Sequence, residues 1–205
     1  MKSVPEVVNF LFEVGILSRT PRSGFHFLGT GDQSVAEHIC RTVFIGYTLA
    51  SLEKKVDVAK VMKMCLLHDL GEARTSDLNY VHQMYASKME RKAISDLAET
   101  LPFGGDIESV IEEFERRKSK ESLVAKDADN LEWILSLKEQ MDVGNASAGE
   151  WIIPAVKRLK TSVAKKISRQ LLKTNSSDWW FGGKSNDEWW ISRDKKKSRI
   201  AWNKK

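Results

Sequence analysis

Apolar residues recur along this chain at steps of three and four, and no segment keeps the one-in-two alternation of a strand, so the pattern predicts helix after helix. The first apolar run, with Val7, Val8, Phe10, Leu11 and Val14 on one side, follows Ser3-Val4-Pro5-Glu6. That tetrapeptide is a capping box with proline near the first helical position, and the helix is expected to stop near Gly15. A loop dense in Gly, Ser, Thr and Pro covers 16–33 and closes on a second capping box, Ser34-Val35-Ala36-Glu37. His38 thereby falls in the first turn or so of the second helix, which is expected to carry Ile39, Val43, Phe44 and Tyr47 inward. A third helix is predicted from Asp57 through Val58, Val61, Met62, Cys65 and Leu66 to Gly71, with His68-Asp69 in its last turn. Further helical patterns cover 80–100, 106–118, 120–141 and 151–172, separated by a Pro-Phe-Gly-Gly break and a Gly-Asn-Ala-Ser-Ala-Gly break. No repeat of solenoid period is evident, and the expectation is one all-α domain over residues 1–172 with an extension over 173–205.

Composition refines this picture in two places. The 205 residues, 41% apolar and 30% charged, suffice for one buried core. The formal charge of +5 is unevenly spread: 1–172 hold 24 Lys and Arg against 24 Asp and Glu, whereas 173–205 hold 9 against 4. A neutral body does not fit a nucleic-acid-binding core, so any affinity for polyanions belongs to the extension. With no membrane-length apolar run and no apolar stretch of a secretory signal at the N-terminus, the expected compartment is the cytoplasm and no membrane partner is expected. Cys40 and Cys65 each lie in an apolar run and read as buried free thiols, supplying neither a disulfide framework nor a nucleophile.

The candidate chemistry starts at His68-Asp69, placed directly after the apolar run 64–67. Such a pair at a helix end can offer a nitrogen and an oxygen to one divalent cation; on the pair alone, a capped histidine beside a solvated aspartate is the favoured reading. The pair has company in order along the chain: S-V-A-E-H ending at His38, L-L-H-D at 66–69, and K-D-A-D-N-L-E-W-I-L at 126–135. This ordered set resembles the HD-domain metal-dependent phosphohydrolases, and within them the branch of the bacterial 5′-deoxynucleotidases, over about residues 4–172. The resemblance implies a helical bundle and one divalent ion held by His38, His68, Asp69 and a later aspartate. Asp127 and Asp129 lie two apart, about 200° around a helix, so both cannot face one site. The family's Ala-Asp context with apolar residues at +2 and +5 matches Ala128-Asp129 with Leu131 and Ile134, which selects Asp129 and leaves Asp127 as a solvated residue.

The resemblance also implies roles for neighbours. Glu72, in H-D-L-G-E, corresponds to a general acid or base; Asp77, in T-S-D-L, to a residue contacting the sugar or the attacking water, with a helix N-cap as its plain alternative. Arg19, in L-S-R-T-P-R, corresponds to a phosphate-binding arginine, a task suited to a planar fork of donors. Thr20 stands where the bacterial enzymes place a tryptophan beside the sugar, which weakens any expectation of strict deoxyribose selection. Arg22 is a second cation of the same loop, equally readable as a surface residue. His26 and His82 fall outside the ligand pattern, and Gly29-Thr30-Gly31 lacks the rest of a P-loop and reads as a turn.

The expected function is therefore a metal-dependent phosphohydrolase acting on small nucleotides, removing the 5′-phosphate of (deoxy)nucleoside monophosphates, with Mn, Co, Ni, Fe, Zn or Mg as the ion. A dNTP triphosphohydrolase, and a non-catalytic nucleotide- or nucleic-acid-binding module, are the alternatives. The resemblance implies a homodimer. It is silent on the extension, where Trp179, Trp180, Trp189, Trp190 and Trp202 accompany the run Lys195–Lys197. Packing of these rings against the body is the favoured reading there, ahead of an interface or base stacking.

Overall fold

The capping box at Ser34 is formed. The Ser34 hydroxyl accepts the Glu37 N–H at 3.2 Å, and the Glu37 carboxylate accepts the Ser34 N–H at 2.6 Å, which starts the helix bearing His38. Asp57, Ser119, Asn145 and Thr161 cap later helices in the same way, each accepting a backbone N–H three residues on. In the computed structural model, which describes residues 4–87 and 89–181, these signals resolve into α1 Val4–Val14, α2 Phe25–Leu28, α3 Val35–Leu52, α4 Val58–Leu67, α5 Glu72–Thr75, α6 His82–Tyr85, α7 Glu90–Thr100, α8 Gly104–Arg116, α9 Lys120–Asp142, α10 Ala146–Lys157, α11 Ser162–Leu171 and α12 Asp178–Phe181. A 3₁₀ turn over Gly15–Arg19 follows α1. The described residues contain no strand, and no helix among them is long and apolar enough to cross a membrane. Ser3, half of the first capping box, lies outside the described residues.

α9 is the central element, packed by α3, α4, α8, α10 and α11. Its fully buried Leu131, Ile134 and Leu137 join Leu49 of α3 and Val61, Met64 and Cys65 of α4 in the main core, and a second cluster gathers Val35 and Ile39 with Leu97, Ile107 and Ile111. One glycine decides how close α3 and α4 come. A Cβ on Gly46 would lie 2.6 Å from the Cys65 sulfur, so only glycine permits the approach that brings the His38 helix against the His68 helix.

Four expectations need correction. Phe44 is 68% and Tyr47 53% exposed; the inner stripe of α3 is His38, Thr42, Gly46 and Leu49, and the two aromatics lie on the opposite side. Of the α1 residues expected on one face, Val7, Phe10 and Val14 pack on the second cluster while Val8 and Leu11 are exposed. The single helices expected over 80–100 and 151–172 are each two. α6 is exposed throughout and finds no packing to sustain it as far as α7. α10 and α11 are separated at 158–161, where Thr161 caps α11 and Asp127 accepts the Lys160 and Thr161 N–H groups. Cys65 is buried as expected, but Cys40 is exposed. In the extension, Ser176 donates its N–H to Asp142 at 2.7 Å, yet Trp179 remains 72% exposed; Trp189, Trp190, Trp202 and Lys195–Lys197 lie outside the described residues.

Candidate active site

His38 is fully buried in the first turns of α3, and its two ring nitrogens have different tasks. Nδ1 lies 2.6 Å from Glu132 Oε2, so it donates to that carboxylate. Nε2 faces the other way, 3.3 Å from His68 Nε2, 3.4 Å from Asp129 Oδ1 and 3.5 Å from Asp69 Oδ2. His68, at the end of α4, is set by the Cys65 carbonyl oxygen 2.9 Å from its Nδ1. A carbonyl only accepts, so Nδ1 carries the proton and the His68 Nε2 lone pair points at the same spot.

Three helices thus bring two imidazole nitrogens and two carboxylate oxygens to one point. The donor atoms of His38, His68 and Asp69 lie within 4.8 Å of one another, and Asp129 stands beside them. Donors sharing one ion at bonds of about 2.1 Å stand roughly 3–3.5 Å apart, the spacing around His38 Nε2. Electrostatics agrees. Burial works against a protonated His38, as does Arg22, yet hydrogen bonds to Asp129 and Glu132 hold its pKa up at about 9. The cluster demands positive charge at Nε2, which a divalent cation would supply. Burial also opposes ionisation of Asp69 and Asp129, but His68 and Arg22 beside the first, and Lys126 and His38 beside the second, keep both well below the usual carboxylate range.

Asp129 and Asp127 divide as the helix period requires. Asp129 lines the cleft, and Asp127, buried rather than solvated, turns away to the α10–α11 corner. The loop before α3 is stitched by the Val35 N–H to the Thr20 carbonyl at 2.9 Å and the Arg22 N–H to the Gln33 carbonyl at 2.8 Å. This stitching turns Arg22 inward, 3.3 Å from Asp69 and 3.6 Å from Asp77, and its charge is held by those two carboxylates against the cost of burial. Arg19 is exposed and does not line the cleft, and Thr20 is buried with its hydroxyl on the Ile16 carbonyl at 3.1 Å. Of the loop residues expected to bind substrate, Arg22 is the one whose side chain lines the cleft. Asp77 accepts the Ser23 N–H at 2.8 Å, and it is Asn79 that accepts the Val81 and His82 N–H groups at the entry to α6, so the N-cap alternative for Asp77 is not what is seen. Glu72 is buried at the start of α5, its N–H on the Asp69 carbonyl, close enough for its charge to act on Arg22.

His26 and His82 stand apart from the donor cluster, His26 beside the Asn79 amide at 3.3 Å. Gly29 and Gly31, both at positive φ, form the turn after α2. Sequence reasoning missed Glu132. This fully buried carboxylate accepts from His38, from Gln33 at 2.7 Å and from Arg41 at 2.7 and 2.9 Å, while Arg41 also reaches Glu139. An acid three residues after Asp129, flanked by Leu131 and Ile134 on the core side, was the available signal. The cluster forms one end of a cleft of about 610 Å³, whose other end is aromatic.

With that geometry established, comparison with known proteins is decisive at the level of family: the HD domain model matches residues 14–171. The chain belongs to the HD-domain family. Among relatives of this HD-domain protein, one from Dictyostelium discoideum named 5′-deoxynucleotidase HDDC2 is 32% identical over 118 residues, 52% of this chain and 62% of the relative. Its Danio rerio namesake is 29% identical over 139 residues, 65% of this chain and 68% of the relative. The matched region thus spans a little under two thirds of the Dictyostelium protein's length. A solved structure of a conserved hypothetical protein from Pyrococcus furiosus superposes with a TM-score of 0.71 at 30% identity, covering 82% of this HD-domain chain and 99% of its own.

Proposed function

We propose that this protein is a divalent-metal-dependent phosphohydrolase that removes the 5′-phosphate of (deoxy)nucleoside monophosphates. The observation that carries the reading is the convergence of His38, His68, Asp69 and Asp129 on one point with the Arg22 guanidinium beside them, at one end of a nucleotide-sized cleft. The names of the Dictyostelium and Danio relatives support the nucleotide class. His38, His68, Asp69 and Asp129 would hold the ion. When bound, it supplies Lewis-acid charge toward the phosphoryl group and acidifies the attacking water. Two imidazoles with two carboxylates suit Mn, Fe, Co, Ni or Zn, and Mg less well.

The protein's own groups do the rest. Glu132 holds the His38 ring with Nε2 toward the site. Arg22, fixed between Asp69 and Asp77, presents N–H groups to phosphate oxygens. Asp77 keeps the Ser23 backbone and Arg22 in place through its carboxylate. Glu72, buried one turn beyond His68, is the carboxyl group suited to receive the proton from the attacking water. The reading carries with it a cytoplasmic homodimer, checked by light scattering on the purified protein.

The test is a substrate screen on metal-loaded protein. Orthophosphate is expected from dAMP and its congeners, with loss of turnover in His68→Ala. Tripolyphosphate from dATP without reaction on dAMP would replace the reading with a triphosphohydrolase, and nucleotide binding without any product would replace it with a binding module.

A further inference from the structure

Four side chains that line the cleft come from one helix, and their order matches the parts of a nucleotide. Lys126, Asp129, Asn130 and Trp133 of α9 all face it, falling within about 100° of arc on a helix of 3.6 residues per turn. Lys126 is ion-paired to Asp129 at the cation-demanding end. Trp133 stands one turn on, about 6 Å along the axis at 1.5 Å per residue, a step comparable to that from a 5′-phosphate across the sugar to its base. Between them sits Asn130. The residue is only 8% exposed and lines the cleft, and its carboxamide has no hydrogen-bond partner among the described residues. Its amide edge therefore faces the cleft, where its donors and acceptor are free for the hydroxyl or ring oxygen of a bound sugar.

The aromatic end is equally built. Trp133 packs edge-on against Phe25, with ring centroids 5.4 Å apart and planes at 86°. Beneath it Gly24 leaves no room for a side chain, since a Cβ there would come within 2.8 Å of the indole. Trp151 of α10 stands 6.5 Å away with its plane inclined at 44°, so the two indoles flare apart instead of stacking on each other. They leave a half-buried aromatic angle open to the cleft, with Phe27 also on its lining.

We propose that α9 reads a nucleoside monophosphate from end to end, with the base stacked on the angle formed by Trp133 and Trp151 and the sugar hydrogen-bonded by the Asn130 carboxamide. This deepens the phosphohydrolase reading and rests on it for the placement of the phosphate. It assigns the preference for nucleotides over other phosphate esters to a ring-face contact. Every base offers such a face, so the wall accepts all four bases and favours the larger purines.

The experiment compares kcat/KM for dAMP, for 2-deoxyribose 5-phosphate, which lacks only the base, and for a simple alkyl phosphate. Wild-type protein is expected to prefer dAMP over 2-deoxyribose 5-phosphate. That ratio should collapse about tenfold in Trp151→Leu and Trp133→Leu, the size of one lost stack, chiefly through KM. Trp133→Phe, which keeps a ring against Phe25, should restore most of it and guards against a folding defect. Asn130→Ala should lower the ratio of 2-deoxyribose 5-phosphate to alkyl phosphate and leave the ratio of dAMP to 2-deoxyribose 5-phosphate in place. Equal use of the two sugar phosphates by wild-type protein, or unchanged ratios in the variants, would overturn the proposal. Equilibrium dialysis with deoxyadenosine, which carries no phosphate, separates the two readings. Binding that weakens in Trp151→Leu, in a protein that releases no phosphate, would sink the hydrolase and keep the wall; no deoxyadenosine binding in an active hydrolase would do the reverse.

Discussion

Replacing Glu132 tests whether the donor cluster is held in place from behind. The carboxylate is fully buried and accepts from His38, Gln33 and Arg41. Glu132→Ala leaves the His38 N–H and the Gln33 amide without an acceptor, and breaking a buried pair in this way costs about 3–5 kcal/mol. Arg41 moderates the loss, because its side chain is 32% exposed and keeps Glu139 at 2.7 Å, so about 3 kcal/mol is expected. At about 2–4 °C per kcal/mol for a chain of this length, the metal-free protein should melt about 6–12 °C lower. A second effect is independent of that one. With Glu132 gone nothing fixes the His38 tautomer, and metal affinity should fall about 10–100-fold, as it does when such supporting groups are removed elsewhere. Glu132→Gln keeps the shape and one acceptor oxygen, so both effects should be smaller and should scale together. Differential scanning calorimetry on metal-free protein and a competition titration of Mn against a chelator give the two readouts. If Glu132→Ala melts lower but binds the ion as tightly as wild type, the carboxylate is only part of the core and the positioning argument is wrong.

Arg22→Ala should lower kcat/KM on a nucleoside monophosphate about 10–100-fold, the worth of a charge-assisted hydrogen bond, whereas Arg19→Ala should leave steady-state kinetics as they are. Asp127→Ala removes the acceptor for two backbone N–H groups at the α10–α11 corner and should cost about 2 kcal/mol in a urea melt without changing turnover. Maleimide at mildly alkaline pH should label Cys40 alone. Burial pushes the Cys65 thiol up to about 12 from a usual 9.0, so the folded state keeps its proton where the unfolded state loses it. That contribution to stability is complete below pH 9 and is lost as pH rises toward 12, and labelling of Cys65 should track global unfolding.

Local signals carried much of the architecture. Ser34 with Glu37, Asp57 and Ser119 announce helix starts because a cap is satisfied within four residues, and an all-α bundle follows from the apolar period. The inward side of α3 was not legible, since Phe44 and Ile39 are equally apolar and the choice between them belongs to α4 and α9, distant in sequence. The same holds for the cations of the first loop. Arg19 and Arg22 differ little as residues, and only the pairing of 20–22 with 33–35 turns the second one inward. The donor motif could be read because its order along the chain matches a known pattern, with His38 at the start of α3 and His68-Asp69 at the end of α4, while Asp129 within α9 needed the helix period to be told from Asp127. Glu132 was hidden because an acidic residue within an amphipathic helix usually faces water.

The two-residue offset between Asp127 and Asp129 separates two tasks within one helical turn. One carboxylate secures the chain's own backbone and the other faces the cleft, so substitutions at the two positions should separate, one read in the melting temperature and the other at the cleft. A change at position 129 alters the cleft while the anchor two residues earlier keeps the α10–α11 corner shut. The reverse also holds: the corner can be strengthened or weakened at position 127 without reshaping the cleft.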